Sequence, residues 1–509
     1  MPHPRAVPEV LAFLRDLEPS VRLVAGAAGR AGAMAGVVGG VTLDSGAVRP
    51  GDLFAGLPGG HCHGAAYAGA AARAGAGAGV MLSDRASPEL PCIVVPDPRR
   101  VLGPLAAWLH GHPSRALAVH GVTGTNGKTS TTHLIAAGLA AAGRRTGLAS
   151  TLEVRAPDLG RPAERTTAEA PDLQAFLAGC RAAGATDVAL EVSSHGIALD
   201  RVTGVRFRTA VFTNLSPDHL DLHGDLDGYY AAKAALFTPE RCELAVVGVD
   251  DAFGRRLART TRCPVVTVSG EGGAADWRAR DVRATVTGTA FRLTGPGVDR
   301  EVSLALLGPH QASNALAAVA ALVSTGLDVD DVLAGIGTFP ALPGRLERVD
   351  AGQPYLALVD FAHNTGGHRR LLPFLRSLTA GRLVVVMGAT GQRDPGKRAA
   401  LGRCVAERAD VVVVTDESPH GDDPAMLRRA VADGARAVRG AQVVECADRA
   451  EAIAVAVAET GPGDVVVVVG RGADQTLVTG GDVRWFDDRV ALRAAVLDRE
   501  DAGDVPACG

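Results

Sequence analysis

A glycine-rich turn between a strand-type segment and a helix-type segment carries the clearest chemical signal in this sequence. Residues 116–130 read ALAVHGVTGTNGKTS, in which an apolar run leads into the turn and Gly127-Lys128-Thr129 ends it. Backbone N–H groups in such a turn converge on phosphate oxygens at a helix N-terminus, where the helix dipole favours anions. Lys128 is expected to reach the β- and γ-phosphates, and the Thr129 hydroxyl to ligate Mg²⁺. The sequence therefore predicts a loop that binds a nucleoside triphosphate.

The turn departs from the strict phosphate-loop pattern at one position. That pattern has a glycine where this sequence has Val122, and Gly121 and Gly124 flank the position instead. We predict that the nucleotide is held by the residues of the turn itself, which are Gly124, Thr125, Asn126, Gly127, Lys128, Thr129 and Ser130.

An acidic residue and a histidine follow two further strand-type segments. Glu191 closes the apolar segment at 187–191, and His219 lies in a Ser-Pro-Asp-His-Leu-Asp run after the segment at 209–212. An unpaired carboxylate at the end of a buried strand is costly, so a metal ion is an attractive partner for Glu191. A helix-capping carboxylate and a structural histidine are the alternatives at these positions.

The elements that position these residues alternate between strand-type and helix-type segments. Apolar runs of strand length recur at 187–191, 209–212, 244–248, 357–360, 383–388, 411–415 and 465–470, and the helix after the turn is predicted over 131–142. This alternation is typical of an α/β protein with parallel sheets covered on both faces. Ligands bind such sheets at the carboxyl ends of the strands, which is where the candidate residues fall.

Breaks in the alternation predict three domains. The N-terminal domain spans residues 1–112, a central P-loop domain with a parallel sheet spans 113–341, and a doubly wound, Rossmann-like C-terminal domain spans 342–509. Within the first domain the patterns predict helices over 7–17 and 65–74 and strands at 79–82 and 92–95.

Composition limits the classes of partner. The 509 residues carry 52 basic and 56 acidic side chains, a net charge of −4, which leaves no electrostatic footprint for nucleic acid or an anionic membrane. No apolar run reaches bilayer length, and the start of the sequence lacks a signal pattern. The eight cysteines show no metal-ligand spacing and are typical of reduced thiols. We expect a cytoplasmic monomer without nucleic-acid or membrane partners.

Longer motifs resemble the Mur ligases, which use ATP to join amino acids to a UDP-linked muramic acid carrier. The displaced-glycine turn GVTGTNGKT at 121–129 resembles that family. The segment 191–237, with its EVSSH, FTNLS, DHLD and KAALF runs, resembles the branch that adds the third amino acid. Asp44-Ser45 and PGDLF at 50–54 resemble the uridine-binding domain of that branch, although Gly46 stands where the family has arginine.

The resemblance implies a metal site. Thr129, Glu191 and His219 would hold Mg²⁺, and Lys233 would carry a CO₂ adduct, a carbamate that completes the site. Only a neutral amine reacts with CO₂, and burial lowers the pKa of a lysine enough to supply one. An ordinary lysine on a helix surface is the alternative for Lys233.

The resemblance also implies an ATP site shared between two domains. Asn314 in GPHQASN would face adenine, Arg345 in GRLE would reach the phosphates, and Asp360 in VDFAH would hold the ribose. Because the last two lie beyond the break at Pro343-Gly344, domain closure would assemble the site. The implied catalytic residues are Lys128, Glu191, His219, Lys233 and Arg345.

The implied substrates are UDP-MurNAc-dipeptide and an amino acid. The carrier would contact Ser45, Thr166, Thr167, Ser193 and Arg201. The incoming amino acid would lie against Arg393, Glu417, Ser418, His420, Gly470 and Asp474.

The amino-acid pocket departs from the pattern of meso-diaminopimelate users. Their Asp-Asn-Pro-Arg becomes Glu417-Ser-Pro-His420, and their Gly-Lys-Gly-His-Glu becomes Gly470-Arg-Gly-Ala-Asp474. A histidine cannot form the bidentate fork with which arginine holds a distal carboxylate. We therefore expect an amino acid with a cationic or neutral end, such as lysine or ornithine. Arg471 is the residue that could supply the missing cation.

The implied activity is that of an ATP-dependent amide ligase in peptidoglycan precursor synthesis, which adds a diamino acid to UDP-MurNAc-L-Ala-D-Glu through an acyl phosphate. Positioning and electrostatics would stabilise the transferring phosphoryl group. The alternatives are a related ligase acting in a specialised-metabolite pathway, a non-catalytic ligand-binding paralogue, a P-loop NTPase that couples hydrolysis to motion, and a folylpolyglutamate synthase.

Overall fold

A computed structural model of the chain describes residues 3–25, 34–60, 62–75 and 80–503. Residue 79, the predicted start of one strand, and Cys508 lie outside these ranges. The strands form three large sheets, of five, eleven and six strands, and two short pairs. The seven described cysteines are free thiols. Within the described ranges, no helix is both long and apolar enough to cross a membrane.

The N-terminal region forms the five-stranded sheet. Its elements are β1 (Arg5–Ala6), α1 (Val7–Leu17), β2 (Arg22–Val24), β3 (Val37–Val38), β4 (Gly40–Thr42), β5 (Asp52–Gly56), α2 (Ala68–Arg73), β6 (Met81–Ser83), β7 (Cys92–Val94) and α3 (Pro98–Leu109). The sheet order is β2-β7-β6-β5-β4, and only the β2–β7 pair is antiparallel. Apolar residues of α1 and α3, including Leu14 and Leu105, share one core with Ile93 of the sheet. The predicted helix over 7–17 is confirmed.

The central region forms the eleven-stranded sheet. Its elements are β8 (Ala118–Thr123), α4 (Lys128–Ala141), β9 (Thr146–Ala149), β10 (Glu153–Ala156), β11 (Leu159–Pro162), α5 (Ala170–Ala182), β12 (Asp187–Glu191), α6 (Ser194–Ala198), β13 (Phe207–Phe212), α7 (Leu220–His223), α8 (Leu226–Ala234), β14 (Cys242–Gly248), α9 (Ala252–Thr260), β15 (Val265–Ser269), β16 (Trp277–Thr285), β17 (Gly288–Gly295), β18 (Val298–Leu304), α10 (His310–Val323) and α11 (Val329–Gly337). The strand order is β11-β10-β9-β12-β8-β13-β14-β15-β16-β17-β18.

The middle of this sheet is parallel, as predicted, while both edges are antiparallel. Strands β9, β12, β8, β13, β14 and β15 pair in parallel, whereas β10 and β11 at one edge and β17 and β18 at the other pair antiparallel. In β16 and β17, which precede the edge strand β18 in the sheet order, exposed or half-buried residues interrupt the buried ones. They therefore lack the continuous apolar runs by which the parallel strands are found in the sequence.

Helix α4 begins earlier than the sequence predicts. It starts at Lys128, not at residue 131, and ends at Ala141. Gly127, with φ of 86°, turns the chain so that the helix begins with the next residue. Lys128, predicted to bind phosphate, is thereby the first residue of the helix.

The C-terminal region forms the six-stranded sheet. Its elements are β19 (Glu347–Val349), β20 (Leu356–Asp360), α12 (Thr365–Ser377), β21 (Leu383–Met387), α13 (Lys397–Ala406), β22 (Val411–Val414), α14 (Pro424–Arg436), β23 (Gln442–Glu445), α15 (Arg449–Ala458), β24 (Val465–Val469), β25 (Thr476–Thr479), β26 (Asp482–Trp485) and α16 (Asp488–Gly503). The order is β19-β20-β24-β21-β22-β23, and only the β19–β20 pair is antiparallel.

Both faces of this third sheet are covered by apolar residues. Val385 and Val467 belong to the core on one face, and Val384 and Val466 belong to the core on the other. This is the packing of a doubly wound sheet. The predicted domain boundaries at 112/113 and 341/342 fall in the connections before β8 and before β19, and the three-domain division stays a prediction.

Candidate active site

A continuous crevice of about 760 Å³ contains most of the residues predicted from the sequence. It is lined by residues of the central and the C-terminal regions. The predicted residues that line it are Thr125, Asn126, Gly127, Lys128, Thr129, Ser130, Thr166, Thr167, Glu191, Ser193, Arg201, His219, Asn314, Arg345, Asp360, Arg393, Glu417, Ser418, His420, Gly470 and Asp474. Of the other three predicted residues, all within the described ranges, Gly124 is the first residue of the phosphate loop, Lys233 bonds to the Gly124 carbonyl, and Ser45 lies in a turn after β4.

The phosphate loop is held in shape by the segment after β13. The Thr125 N–H donates to the Asn214 carbonyl at 2.8 Å, and the Asn126 N–H donates to Asn214 Oδ1 at 3.2 Å. At Gly127, a methyl group would collide with Oδ1 of Asn314, and at Gly124 it would collide with the Thr213 hydroxyl. Glycine is needed at both positions because the backbone approaches its neighbours so closely.

Two lysines, the half-buried Lys128 and the buried Lys233, donate to carbonyls of this loop. Lys128 Nζ donates to the Thr125 carbonyl at 3.0 Å, and Lys233 Nζ donates to the Gly124 carbonyl at 2.8 Å. Lys233 is 1% exposed, and its Nζ lies 4.6 Å from the centre of the Tyr229 ring. Burial, followed by the charge of Lys128, holds the pKa of Lys233 well below its ordinary value. The structure thus excludes an ordinary surface lysine at position 233.

Lysine is rare in this chain, and each lysine lies at or beside the crevice. The sequence has three lysines, Lys128, Lys233 and Lys397, among 52 basic side chains, and the rest are arginines. Lys397 lines the same crevice. A lysine can lose its proton and presents a compact charge, whereas an arginine stays charged. We therefore expect the three lysines to occupy positions where a compact charge or a neutral amine is needed.

Glu191 joins the loop to the strand beside it. One carboxylate oxygen, Oε2, accepts from the Thr129 hydroxyl at 3.1 Å and from the backbone and hydroxyl of Thr151 at 3.0 and 3.1 Å. The cap of α6 is Ser193, so Glu191 does not have the capping role. From the third sheet, Arg345 Nη2 reaches the Thr129 hydroxyl at 3.0 Å.

A hydroxyl and a carboxylate side by side suit Mg²⁺, which keeps several water molecules and binds through one or two carboxylates and substrate phosphates. Thr129 and Glu191 therefore fit the predicted ion. Burial lowers the pKa of His219 to about 3, which leaves a neutral imidazole. Among the described residues, no group of three or more His, Cys, Asp or Glu side chains is arranged to hold a metal without other donors. Ligation by His219 and Lys233 stays a prediction.

Asp218 is the buried acid of the site that the sequence prediction missed. Its carboxylate accepts from Asn364 Nδ2 at 3.0 Å and lies 3.4 Å from His363 Nε2 and 3.8 Å from Lys397 Nζ. Burial alone would raise the pKa of Asp218, but the hydrogen bond and charge of His363 outweigh it and hold the pKa well below its ordinary value. The available signal was its place directly before His219 in the same motif.

The residues predicted for the carrier are tied to one another. The Thr167 hydroxyl donates to the Glu191 carbonyl at 3.0 Å and accepts from the Ser193 N–H at 3.0 Å. Arg201 pairs with Glu169 at 2.7 Å and donates to the Thr167 carbonyl at 3.2 Å. The arrangement places one guanidinium and several hydroxyls along this wall of the crevice.

The predicted amino-acid pocket has a buried acid. Glu417 is 5% exposed, and its Oε1 accepts from the Thr390 hydroxyl at 2.5 Å. A methyl group at Gly470 would collide with the Glu417 carboxylate. His420, in the left-handed region with φ of 52°, is held by a bond from its N–H to the Val478 carbonyl at 3.0 Å. The pocket therefore presents a buried carboxylate, and the charges of Arg449 and Arg471 interact with it from the pocket wall.

Arg471 is not free to supply the missing cation. It is 2% exposed, and its Nη1 donates to the Ser418 hydroxyl at 3.2 Å and the Thr476 carbonyl at 2.9 Å. Its Nη2 donates to the carbonyls of Asp474 and Phe486 at 3.1 and 3.0 Å. The side chain thus holds the loops that form the pocket wall.

Comparison with known families finds matches for the regions of the eleven-stranded and the six-stranded sheets. A sequence model described as the Mur ligase middle domain matches residues 122–322, and one described as the Mur ligase, glutamate ligase domain matches residues 344–472. Together they contain the phosphate loop and most of the predicted amino-acid pocket.

Individual proteins are similar over nearly the whole chain. The UDP-N-acetylmuramoyl-L-alanyl-D-glutamate–2,6-diaminopimelate ligase of Streptomyces coelicolor is 47% identical over 470 residues, covering 90% of this chain and 92% of that protein. The UDP-N-acetylmuramyl-tripeptide synthetase of Leifsonia xyli is 42% identical over 473 residues, with the same coverage of 90% and 92%. A solved structure of a UDP-N-acetylmuramoyl-L-alanyl-D-glutamate–2,6-diaminopimelate ligase is similar with a TM-score of 0.61 and 29% identity, covering 91% of this chain and 95% of that one.

The left-handed backbone of Gly127 and its close approach to Asn314 predict that Gly127→Ala weakens nucleotide binding. A left-handed alanine costs about 1–2 kcal/mol, and the collision with Asn314 adds to that cost. We expect the variant to bind ADP at least about tenfold more weakly in isothermal titration calorimetry.

Gly143→Ala is the matched control. Gly143 also has a positive φ, of 73°, but no atom lies within 4 Å of an added methyl group. It should carry the backbone strain and keep normal ADP affinity. Equal affinities for the two variants would contradict the role assigned to the loop.

Proposed function

This chain belongs to the Mur ligase family, and on that premise we propose that it is an ATP-dependent ligase that adds the third amino acid to UDP-MurNAc-L-Ala-D-Glu in peptidoglycan precursor synthesis. The observation that carries the proposal is the single crevice that connects Lys128 of the phosphate loop with Glu417 of the amino-acid pocket. A ligase that makes an acyl phosphate needs these two sites in one enclosed space. The names of the similar ligases support the same reaction.

The reaction uses positioning and charge. A carboxylate of the dipeptide attacks the γ-phosphorus of ATP, the bond to ADP breaks, and an acyl phosphate forms. The uncharged amine of the incoming amino acid then attacks the acyl carbon, and phosphate leaves. Lys128 and Arg345 approach the same loop from two regions of the chain and stabilise negative charge on the phosphoryl oxygens. Mg²⁺ bound at Thr129 and Glu191 would add charge neutralisation there.

Lys233 is the residue we propose to be carbamylated. Its amine is buried against the Gly124 carbonyl, and its pKa is far below that of an exposed lysine, so the neutral form is available. The nitrogen lone pair forms a bond to the carbon of CO₂, and the nitrogen then loses a proton to solvent. The product is a negative group behind the phosphate loop, where it offsets the charge of Lys128.

We expect Lys233→Ala to lower kcat at least about a hundredfold, because it removes a charged group at the site of phosphoryl transfer. Acetate or formate should partly restore turnover by filling the vacated space with a carboxylate. The readout is phosphate release that depends on the carrier and the amino acid.

Tyr230→Phe controls for damage to α8, because the Tyr230 hydroxyl bonds to Thr260 of α9 at 3.3 Å. It should keep near-normal turnover. Near-normal turnover of Lys233→Ala would contradict the proposed carbamate on Lys233.

The pocket favours an amino acid whose far end is a cation. The buried Glu417 carboxylate faces Gly470, Arg471 is held by the loops, and His420 stands where diaminopimelate users have an arginine. A second carboxylate, as in diaminopimelate, would meet like charge at Glu417. An ammonium there gains a charge-assisted hydrogen bond. We infer a preference for lysine or ornithine, with Arg393 holding the α-carboxylate.

The test is competition of lysine, ornithine, diaminopimelate and a neutral amino acid at saturating ATP and UDP-MurNAc-dipeptide. A lost charge-assisted contact costs about 1.5–3 kcal/mol, or roughly ten- to a hundredfold in kcat/KM. Lysine or ornithine should lead by that factor, and Glu417→Gln should erase the lead.

Two outcomes decide against parts of this proposal. Preference for diaminopimelate would refute the specificity and leave the ligase activity standing. Equal turnover of a carrier that lacks UDP would favour a ligase of specialised metabolism, a reading consistent with the position of Ser45 outside the crevice.

A further inference from the structure

The carboxylate of Asp218 belongs to the central region and, apart from the adjacent His219 with its Nε2 at 3.7 Å, its ring and amine partners belong to the C-terminal region. Asp218 lies in the segment after β13, and its side chain is 3% exposed. His363 and Asn364 follow β20, and Lys397 is the first residue of α13. Asn364 Nδ2 donates to it at 3.0 Å, and His363 Nε2 and Lys397 Nζ lie 3.4 and 3.8 Å away. Three donors from one region therefore converge on one buried acid of the other.

Other contacts between the two regions surround this one. Asn364 Nδ2 also lies 3.4 Å from Oδ1 of Asn126 in the phosphate loop. At the start of α12, Gly366 lies so close to Ser216 that a side chain there would collide with the serine hydroxyl. These contacts fix the distance and orientation of α12 relative to the phosphate loop.

We propose that Asp218 is the hub of a clasp that holds the C-terminal region closed over the phosphate loop and positions Lys397 in the crevice. Asp218 is a positioning residue in this account. A buried carboxylate with an amide hydrogen bond, a neighbouring imidazole and a neighbouring ammonium is strongly held, and removal of its charge weakens all three contacts at once. The catalytic consequence of the clasp rests on the proposed function, whereas closure itself does not.

The choice of lysine at 397 agrees with this role. The chain uses arginine at nearly every other basic position, and Lys397 lines the crevice between the phosphate loop and the amino-acid pocket. A compact ammonium can share one carboxylate with His363 and Asn364, whereas the wide fork of an arginine would compete with them. Lys397 thus belongs both to the cluster around Asp218 and to the lining of the crevice.

Hydrogen exchange of the full-length protein tests closure without any assay of ligation. Asp218→Asn should speed exchange of the amides at 365–369, on the other side of the clasp, by about tenfold or more. Lys397→Met should do the same to the amides at 214–219. Because Asp218 is buried and its variant could fail to fold, the partly exposed Lys397 gives the second, independent variant.

Kinetics of the same variants test the consequence. Each should lower kcat about tenfold or more and also raise the KM for ATP, since Arg345 and Asp360 of the predicted ATP site lie in the region that the clasp holds. The double variant should be no worse than the poorer single one, because both remove one interaction. Asp221→Asn, an exposed acid in the same segment, is the control and should leave exchange at 365–369 unchanged.

The outcomes separate this proposal from the proposed function. Unchanged exchange across the clasp, or multiplied losses of kcat in the double variant, would overturn it. If the wild-type protein ligated no amino acid to UDP-MurNAc-dipeptide, the proposed function would fail, and the exchange result alone would decide the clasp.

Discussion

The placement of two lysine amines at one phosphate loop, one half-buried and one fully buried, is the constraint on which the rest of the site depends. Lys128 and Lys233 donate to neighbouring carbonyls of the loop, so two positive charges would face each other in a space with little water. Such an arrangement is stable only with nearby carboxylates or with one amine uncharged. Glu191 and Asp218 supply the negative charge on one side. A carbamate on Lys233 would supply it on the other.

The fold brings these groups together because parallel strands end at the same edge of a sheet. Strand β8 leads into the loop, β12 ends at Glu191, and the segment after β13 carries Asp218. The C-terminal sheet contributes Arg345 at the loop. A buried pair at 2.7 Å, between Arg449 and Asp488, stabilises the packing of α15 on α16 behind the amino-acid pocket. Chemistry at the crevice thus depends on contacts made well outside it.

The sequence predicts the parts of the structure that local chemistry specifies. The apolar runs locate the parallel strands, and the glycine-rich turn locates the phosphate loop, because both depend on neighbouring residues alone. Burial of Lys233 and the cluster at Asp218 depend on segments far apart in the chain, so spacing cannot reveal them. The same holds for Arg471, whose motif leaves its direction open while its contacts fix it in the pocket wall. Strand β16, which pairs antiparallel with β17, could not be predicted from the sequence, because exposed residues interrupt its apolar ones and leave no continuous apolar run.

The central claim is that burial lowers the pKa of Lys233 and so makes a neutral amine available to react with CO₂. The most direct measurement is ¹³C NMR of the full-length protein equilibrated with ¹³C-bicarbonate. A carbamate signal is expected in the wild-type protein and in Lys397→Met, and it should be absent from Lys233→Ala. With only three lysines in the chain, the assignment is unambiguous. No carbamate signal in the wild-type protein, or a signal that persists in Lys233→Ala, would contradict the account.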